Sequence, residues 1–165
     1  MPTELDSFVR DEYAAVVAAV RLITGDREGA VDSVQDAIVR YLEHPPAVPV
    51  RNAAAWVTVV ASNLSRDRFR RQQAEHRAIE RMEFPDARPA ADAHLSEPRV
   101  LEAVRALPLG QRQACILFYF LDLSVAEIAG ELDVSIGTVK TQLFRARQSL
   151  AETLAPLRSA PVLVG

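Results

Sequence analysis

Leu123-Ser124-Val125-Ala126-Glu127-Ile128-Ala129, followed through Asp133-Val134-Ser135 by Ile136-Gly137-Thr138-Val139-Lys140-Thr141-Gln142-Leu143-Phe144-Arg145-Ala146-Arg147, reads as two short helices around a tight turn. Ser124 and Glu127 have the S-x-x-E spacing of a capping box, in which hydroxyl and carboxylate each satisfy a backbone N–H left open by the first turn. Ser135 predicts a second cap of the same kind, accepting from the N–H of Thr138. Ile128 and Leu132 fall one turn apart on the first helix, and Ile136, Val139, Leu143 and Leu150 supply the apolar face of the second. That period turns Thr138, Thr141, Gln142, Arg145 and Gln148 outward. A helix with one apolar face and one face of hydroxyl, amide and guanidinium groups suits the major groove of DNA. An ordinary amphipathic hairpin has the same period, but caps, turn and cationic bias together favour a helix-turn-helix.

Working outward, charge is the next informative feature. The net charge of −3 is unevenly spread over the 165 residues. Residues 1–50 carry −5, residues 51–81 carry +4 on seven arginines, residues 82–108 carry −2, and residues 109–165 balance. Local charge decides where phosphates bind, so the overall acidity does not argue against nucleic acid. Hydrophobic content of 49% supports real cores, and no apolar run is long enough to cross a bilayer, so no membrane insertion is expected. Met1-Pro2-Thr3-Glu4-Leu5-Asp6 lacks the basic-then-apolar order of a signal peptide. The single cysteine, Cys115, lies among Ala114, Ile116 and Leu117 and reads as a small core residue. A cytoplasmic location fits these features.

Nearly everything else reads as helix. Leu5, Phe8, Val9, Val16, Val17, Val20 and Ile23 recur at helical spacing in one run that Thr24-Gly25-Asp26 ends. Asp26 is a natural N-cap for a second helix with Ala30, Val31, Val34, Ile38, Tyr41 and Leu42 on one side. Three prolines make His44-Pro45-Pro46-Ala47-Val48-Pro49 a loop, after which Asn52 caps a third helix that begins Ala53-Ala54-Ala55-Trp56 and runs into the arginines. From about Gln72 to Pro98 the pattern fades into Ala- and acid-rich sequence broken by prolines. Periodicity resumes at Val100, Leu101 and Val104, and Leu107-Pro108 marks a turn. The expected fold is all-α: two small helical domains, 1–75 and 99–158, joined by a flexible linker over 76–98 and followed by a tail over 159–165, the second a helix-turn-helix domain. His44, His76 and His94 lack metal-ligand spacing, and no glycine-rich phosphate loop is present; neither metal nor cofactor nor catalysis is expected.

In this order the pieces resemble the extracytoplasmic-function (ECF) sigma factors, two-domain initiation subunits of bacterial RNA polymerase within the sigma-70 family. Asp32-Ser33-Val34-Gln35-Asp36 resembles the family's D-x-x-Q-[DE] core-binding motif. Trp56, Ala61-Ser62-Asn63 and Arg66-Asp67 resemble its W-x-x-x-x-A-x-N-x-x-x-D segment. Leu107-Pro108 with Arg112, Leu123-Ser124 with Glu127-Ile128-Ala129, and Gly137-Thr138-Val139-Lys140 with Arg145-Ala146-Arg147 resemble its promoter-reading region. Three departures stand out. Val59 replaces an Arg three residues after the Trp, Lys140-Thr141-Gln142-Leu143 lacks the Arg of K-S-R-L, and Phe118-Tyr119-Phe120-Leu121-Asp122 is more apolar than R-x-x-[DE]-G.

The resemblance implies a division of labour. The first domain, sigma region 2, would bind core polymerase and the minus-ten element; the second, sigma region 4, would read the minus-thirty-five element. Asp32, Gln35, Asp36 and Val39 share one helix face by their spacing, and the resemblance makes that face a dock for the beta-prime coiled coil. Arg66, Arg68, Arg70 and Arg71 carry charge suited to phosphates. The resemblance places Asn52, Trp56 and Asn63 with Arg66, Arg70 and Arg71 at the opened strand, although Trp56 alone reads as a core tryptophan. In the second domain it places Ser135, Thr138, Lys140, Thr141, Gln142, Arg145 and Arg147 at promoter DNA. Of these, Lys140, Arg145 and Arg147 suit phosphate, and Thr138, Thr141 and Gln142 suit base edges. Implied partners are core RNA polymerase (beta-prime coiled coil and beta flap), promoter DNA and an anti-sigma factor. Two other readings stay open: a helix-turn-helix regulator, or a sigma-like interaction protein, that does not join the polymerase core.

Overall fold

A computed structural model describes residues 2–79 and 98–158, all of their regular structure helical. The expected linker and tail lie largely outside these residues. The chain divides into two compact units on either side of residue 90.

The first unit holds α1 (Pro2–Asp11), α2 (Tyr13–Thr24), α3 (Gly29–Glu43) and α4 (Ala53–Ile79). Its core joins Phe8 of α1, Val16, Val17 and Val20 of α2, Ala30, Val34 and Ala37 of α3, and Ala54, Val57 and Ala61 of α4. The alanines let backbones approach closely, so α4 packs against both α2 and α3. Gly25 ends α2 with φ 74°, its N–H donating to the Arg21 carbonyl at 2.8 Å, a left-handed closure that glycine adopts without penalty. Asp26 then accepts from the Gly29 N–H at 2.8 Å, as a cap should. Asn52 does the same for the Ala55 N–H at 2.9 Å.

Three expectations need correction here. The single run from Leu5 to Ile23 is two helices, because Glu12 departs to φ −117°. Helical hydrogen bonding still crosses the break, with the Glu12 N–H reaching Phe8 and the Val16 N–H reaching Glu12. Periodicity does not report such a bend, since it leaves the apolar face intact. Val9 and Leu42, assigned to apolar faces, are 49% and 61% exposed; Leu42 sits in the last turn of α3, beyond the core.

The second unit holds α5 (Pro98–Ala106), α6 (Leu109–Cys115), a π-helical turn (Ile116–Phe120), α7 (Val125–Leu132) and α8 (Ile136–Arg158). Leu107, Cys115 and Ala146 form a buried cluster with Leu150 against it, confirming Cys115 as a core residue. Arg112 clamps the α5–α6 turn by donating to the Leu107 carbonyl at 2.9 Å. In the π turn the Leu121 N–H reaches back to Ile116 at 3.2 Å, and Asp122 follows with φ 54°. Ser124 and Glu127 form the full capping box. Val139, Leu143 and Ala146 bury one face of α8. Ile136, expected on that face, is 48% exposed; it is the first residue of α8, and burial of the face begins at Val139.

Candidate nucleic-acid and protein interfaces

On α3, burial of Ala30, Ser33, Val34 and Ala37 leaves Asp32, Gln35, Asp36 and Val39 exposed together. The face is acidic at one end and apolar at the other, with Val39 48% exposed. Asp36 is ion-paired with Arg68 of α4, and the same guanidinium donates to the buried Ser33 hydroxyl at 3.2 Å. Arg68, one of four arginines whose charge suits phosphate, is thus engaged within the protein. Its register on α4, three residues beyond the buried Ser65, turns it towards α3 instead.

Most of the other candidate residues associated with α4 lie on the opposite side. Asn52, Trp56, Asn63, Arg66 and Arg70 follow at steps of four, seven, three and four, which keeps them on one helical face. Asn63 and Arg70 are exposed and Arg66 is half-buried. Val59, the departure from the family pattern, falls on this face and is half-buried. Arg71 is exposed but points to one flank. Trp56 is partly buried against the core and meets Tyr41 edge-to-face, ring centroids 5.4 Å apart. Its free side lines a cavity of about 260 Å³ together with Phe8, Tyr41, Arg51 and Asn52. Trp56 is thus both a packing residue and a cleft wall.

On α8, Ser135 caps as expected, accepting from the Thr138 N–H at 3.0 Å, and the two hydroxyls lie 2.8 Å apart. Thr141 donates to the Gly137 carbonyl at 2.9 Å. Thr138, Lys140, Thr141 and Arg145 are exposed. Gln142 is half-buried, its amide lying against Gly110 of α6; a Cβ at Gly110 would stand 3.2 Å from Nε2. Arg147 donates from Nε to the Tyr119 hydroxyl at 2.6 Å, its guanidinium 5.7 Å from the ring centroids of both Phe118 and Tyr119. The apolar segment 118–122 therefore supplies an aromatic seat for an arginine of α8, a contact worth about 0.5–1 kcal/mol when exposed. Sequence spacing gave no signal for Tyr119, because its partner is 28 residues away.

Titration is perturbed around the helix-turn-helix. The Ser124 N–H, 2.7 Å from the Glu127 carboxylate, holds that carboxyl below its usual range, with the Ser124 hydroxyl adding to the effect. Burial, then repulsion from Glu127, raises Glu131. Burial also raises the Cys115 thiol, with Arg147 opposing, which makes it a poor nucleophile. Burial and the neighbouring Arg105 lower Arg112. Among the described residues no cluster of three or more His, Cys, Asp or Glu is arranged to hold a metal ion, and no helix is long and apolar enough to cross a membrane.

Comparison with known proteins follows the same division. Residues 8–75 match Sigma-70 region 2 and residues 98–150 match Sigma-70, region 4. The ECF RNA polymerase sigma factor SigL of Mycobacterium tuberculosis is 32% identical, the alignment covering 89% of this chain and 87% of SigL. The ECF RNA polymerase sigma factor EcfG of Rhodopseudomonas palustris is 29% identical, over 91% of this chain and 87% of EcfG. Two solved structures share the fold at 23% identity. The sigma factor RpoE in complex with the anti-sigma factor NepR from Bartonella quintana gives a TM-score of 0.72, covering 93% of this chain and 97% of that one. CnrH in complex with the cytosolic domain of CnrY gives 0.66, covering 94% and 90%. With both sigma regions in order and a relative above 30% identity along most of its length, the chain belongs to the ECF sigma factors of bacterial RNA polymerase.

Proposed function

We propose that this sigma factor joins core polymerase through the α3 face and engages promoter DNA through α4 and α8, acting in the cytoplasm without catalysis of its own. Residues 1–75 serve as the polymerase-binding and minus-ten domain, residues 99–158 as the minus-thirty-five domain, and residues 76–98 as the tether. Asp32, Gln35, Asp36 and Val39 form the dock for the beta-prime coiled coil, and the second domain meets the beta flap. The observation that carries the reading is the opposition of surfaces in one small unit: an acidic-apolar face on α3 and an Asn/Arg face on α4. A regulator that binds duplex DNA alone needs only the second unit.

On DNA, Asn63, Arg66 and Arg70 work as a set on one side of α4, with Asn52 and Trp56 at the head of the same strip. Charge there neutralises phosphate, and the tryptophan cleft offers apolar and polar contact to an unstacked base. Arg71 adds phosphate attraction from the flank. On α8, Ser135, Thr138, Thr141 and Lys140 meet the groove near the helix start, and Arg145 positions the backbone. Arg147 contacts phosphate from its aromatic seat, and Gln142 reaches a base edge by swinging away from Gly110. The complexes of RpoE with NepR and of CnrH with CnrY support an anti-sigma factor as a further partner of this chain.

Run-off transcription tests the reading. Purified chain added to core polymerase on promoter templates should give specific transcripts that neither component gives alone. DNA binding without transcription would instead establish the regulator reading, and neither activity would establish the interaction-protein reading.

A further inference from the structure

The α3 dock has an internal cation. Asp32 and Asp36 lie one turn apart on the same exposed face, but their surroundings differ. Asp36 is ion-paired with Arg68, whereas Asp32 has no ion pair among the described residues. Arg68 is held from two sides: one guanidinium nitrogen donates to Asp36 Oδ2 and the other to Ser33 Oγ, which is wholly buried. The Ser33 bond fixes the planar fork beside the carboxylate and reduces the entropy cost that usually weakens an exposed pair. Both side chains remain open, 40% and 52% exposed for Arg68 and Asp36, so an incoming protein can reach them.

We propose that Arg68 is a specificity-determining residue of the dock, an internal counter-ion that masks Asp36 and lowers this chain's affinity for partners presenting a guanidinium or ammonium group. The proposal rests on the reading of α3 as the polymerase-docking face. A partner cation meets one free carboxylate, Asp32, and one already neutralised, so it gains less from Asp36 than from Asp32. To use Asp36 fully it must displace Arg68 or share the carboxylate, whose lone pairs accept more than one donor. Long-range steering is reduced as well, since the local charge near Asp36 is close to zero. The arginine run of α4 thus divides by register: Arg66 and Arg70 face away towards nucleic acid, and Arg68 serves the protein side.

The test is titration of full-length chain against core polymerase at low ionic strength, with circular dichroism melts verifying each variant's fold. Arg68→Ala should tighten binding by about two- to five-fold, the range corresponding to an exposed ion pair. Arg68→Gln removes the charge but can still bond Ser33, so it should tighten binding similarly and separates masking from any loss of local order. Asp32→Asn should weaken binding more than Asp36→Asn in the unaltered background, and the Asp36→Asn effect should grow once Arg68 is neutral. Unchanged or weaker binding by folded Arg68→Gln, while Asp32→Asn still weakens it, would overturn the masking role and leave the dock standing. If neither aspartate matters in either background, the docking reading fails and the masking proposal with it.

Discussion

Asp122 has φ 54° at the position where the ECF pattern carries glycine. A β-carbon in the left-handed region crowds the following carbonyl at a cost of about 1–2 kcal/mol, which aspartate softens through local hydrogen bonding. Asp122→Gly should therefore raise stability by about 1 kcal/mol, and Asp122→Val should lower it by a similar amount; thermal melts of the two variants check both signs. This strain was not legible in the sequence. The capping side chains were, since Ser124 with Glu127, Ser135 with Thr138, and Asn52 with Ala55 all act across three residues. The partners of Arg68 and Arg147 were hidden for the opposite reason: the contacts to Ser33 and Tyr119 span 35 and 28 residues. No local pattern separates an arginine awaiting phosphate from one already engaged. For the candidate site, residue types and faces were readable, but which cations are free was not.

At the scale of elements, α7 combines two carboxyls of opposite behaviour. Glu127, held down by the Ser124 N–H, is a group whose stabilising effect is complete above the ordinary glutamate pKa of about 4.3 and is lost as pH falls through its lower folded value. Glu131, raised chiefly by burial, works against the fold at neutral pH, and that penalty disappears once pH drops below its unfolded pKa. Glu127→Gln should thus destabilise the second domain at pH 7 and converge on the parent protein in acid. Glu131→Gln should stabilise at pH 7, with its advantage shrinking as the parent glutamate protonates. Urea melts from pH 7 down to about 3.5 follow both, and parallel curves for the two variants would contradict the opposite assignments. The helices themselves were legible because each buries a periodic apolar face. The break at Glu12, a dihedral departure, and the π turn at Ile116–Phe120, a change of hydrogen-bond register, were not, because neither changes which residues are apolar.

For the whole molecule, the decisive feature is that a chain of net charge −3 concentrates +4 in residues 51–81 while residues 1–50 carry −5. Segregation of this kind lets one small unit face a basic protein surface and a polyanion from different sides. It also predicts how the DNA steps separate. Asn63 and Arg66 lie three residues apart on one face of α4 and Arg145 is exposed on α8; on the function proposed above, the first pair engages a strand already parted and Arg145 engages intact duplex. Asn63→Ala with Arg66→Ala should therefore impair promoter opening more than recruitment, so a premelted template should restore much of the transcription lost on duplex. Arg145→Ala should behave conversely: weaker binding to duplex whatever its sequence, a salt dependence reduced by about one unit of slope, and little rescue by premelting. Run-off transcription on paired duplex and premelted templates, with DNA-binding titrations across a salt series, measures both. Equal losses on the two templates for the Asn63/Arg66 variant would show that α4 does not hold the separated strand, and the role of its arginines would then reduce to attraction of duplex phosphate.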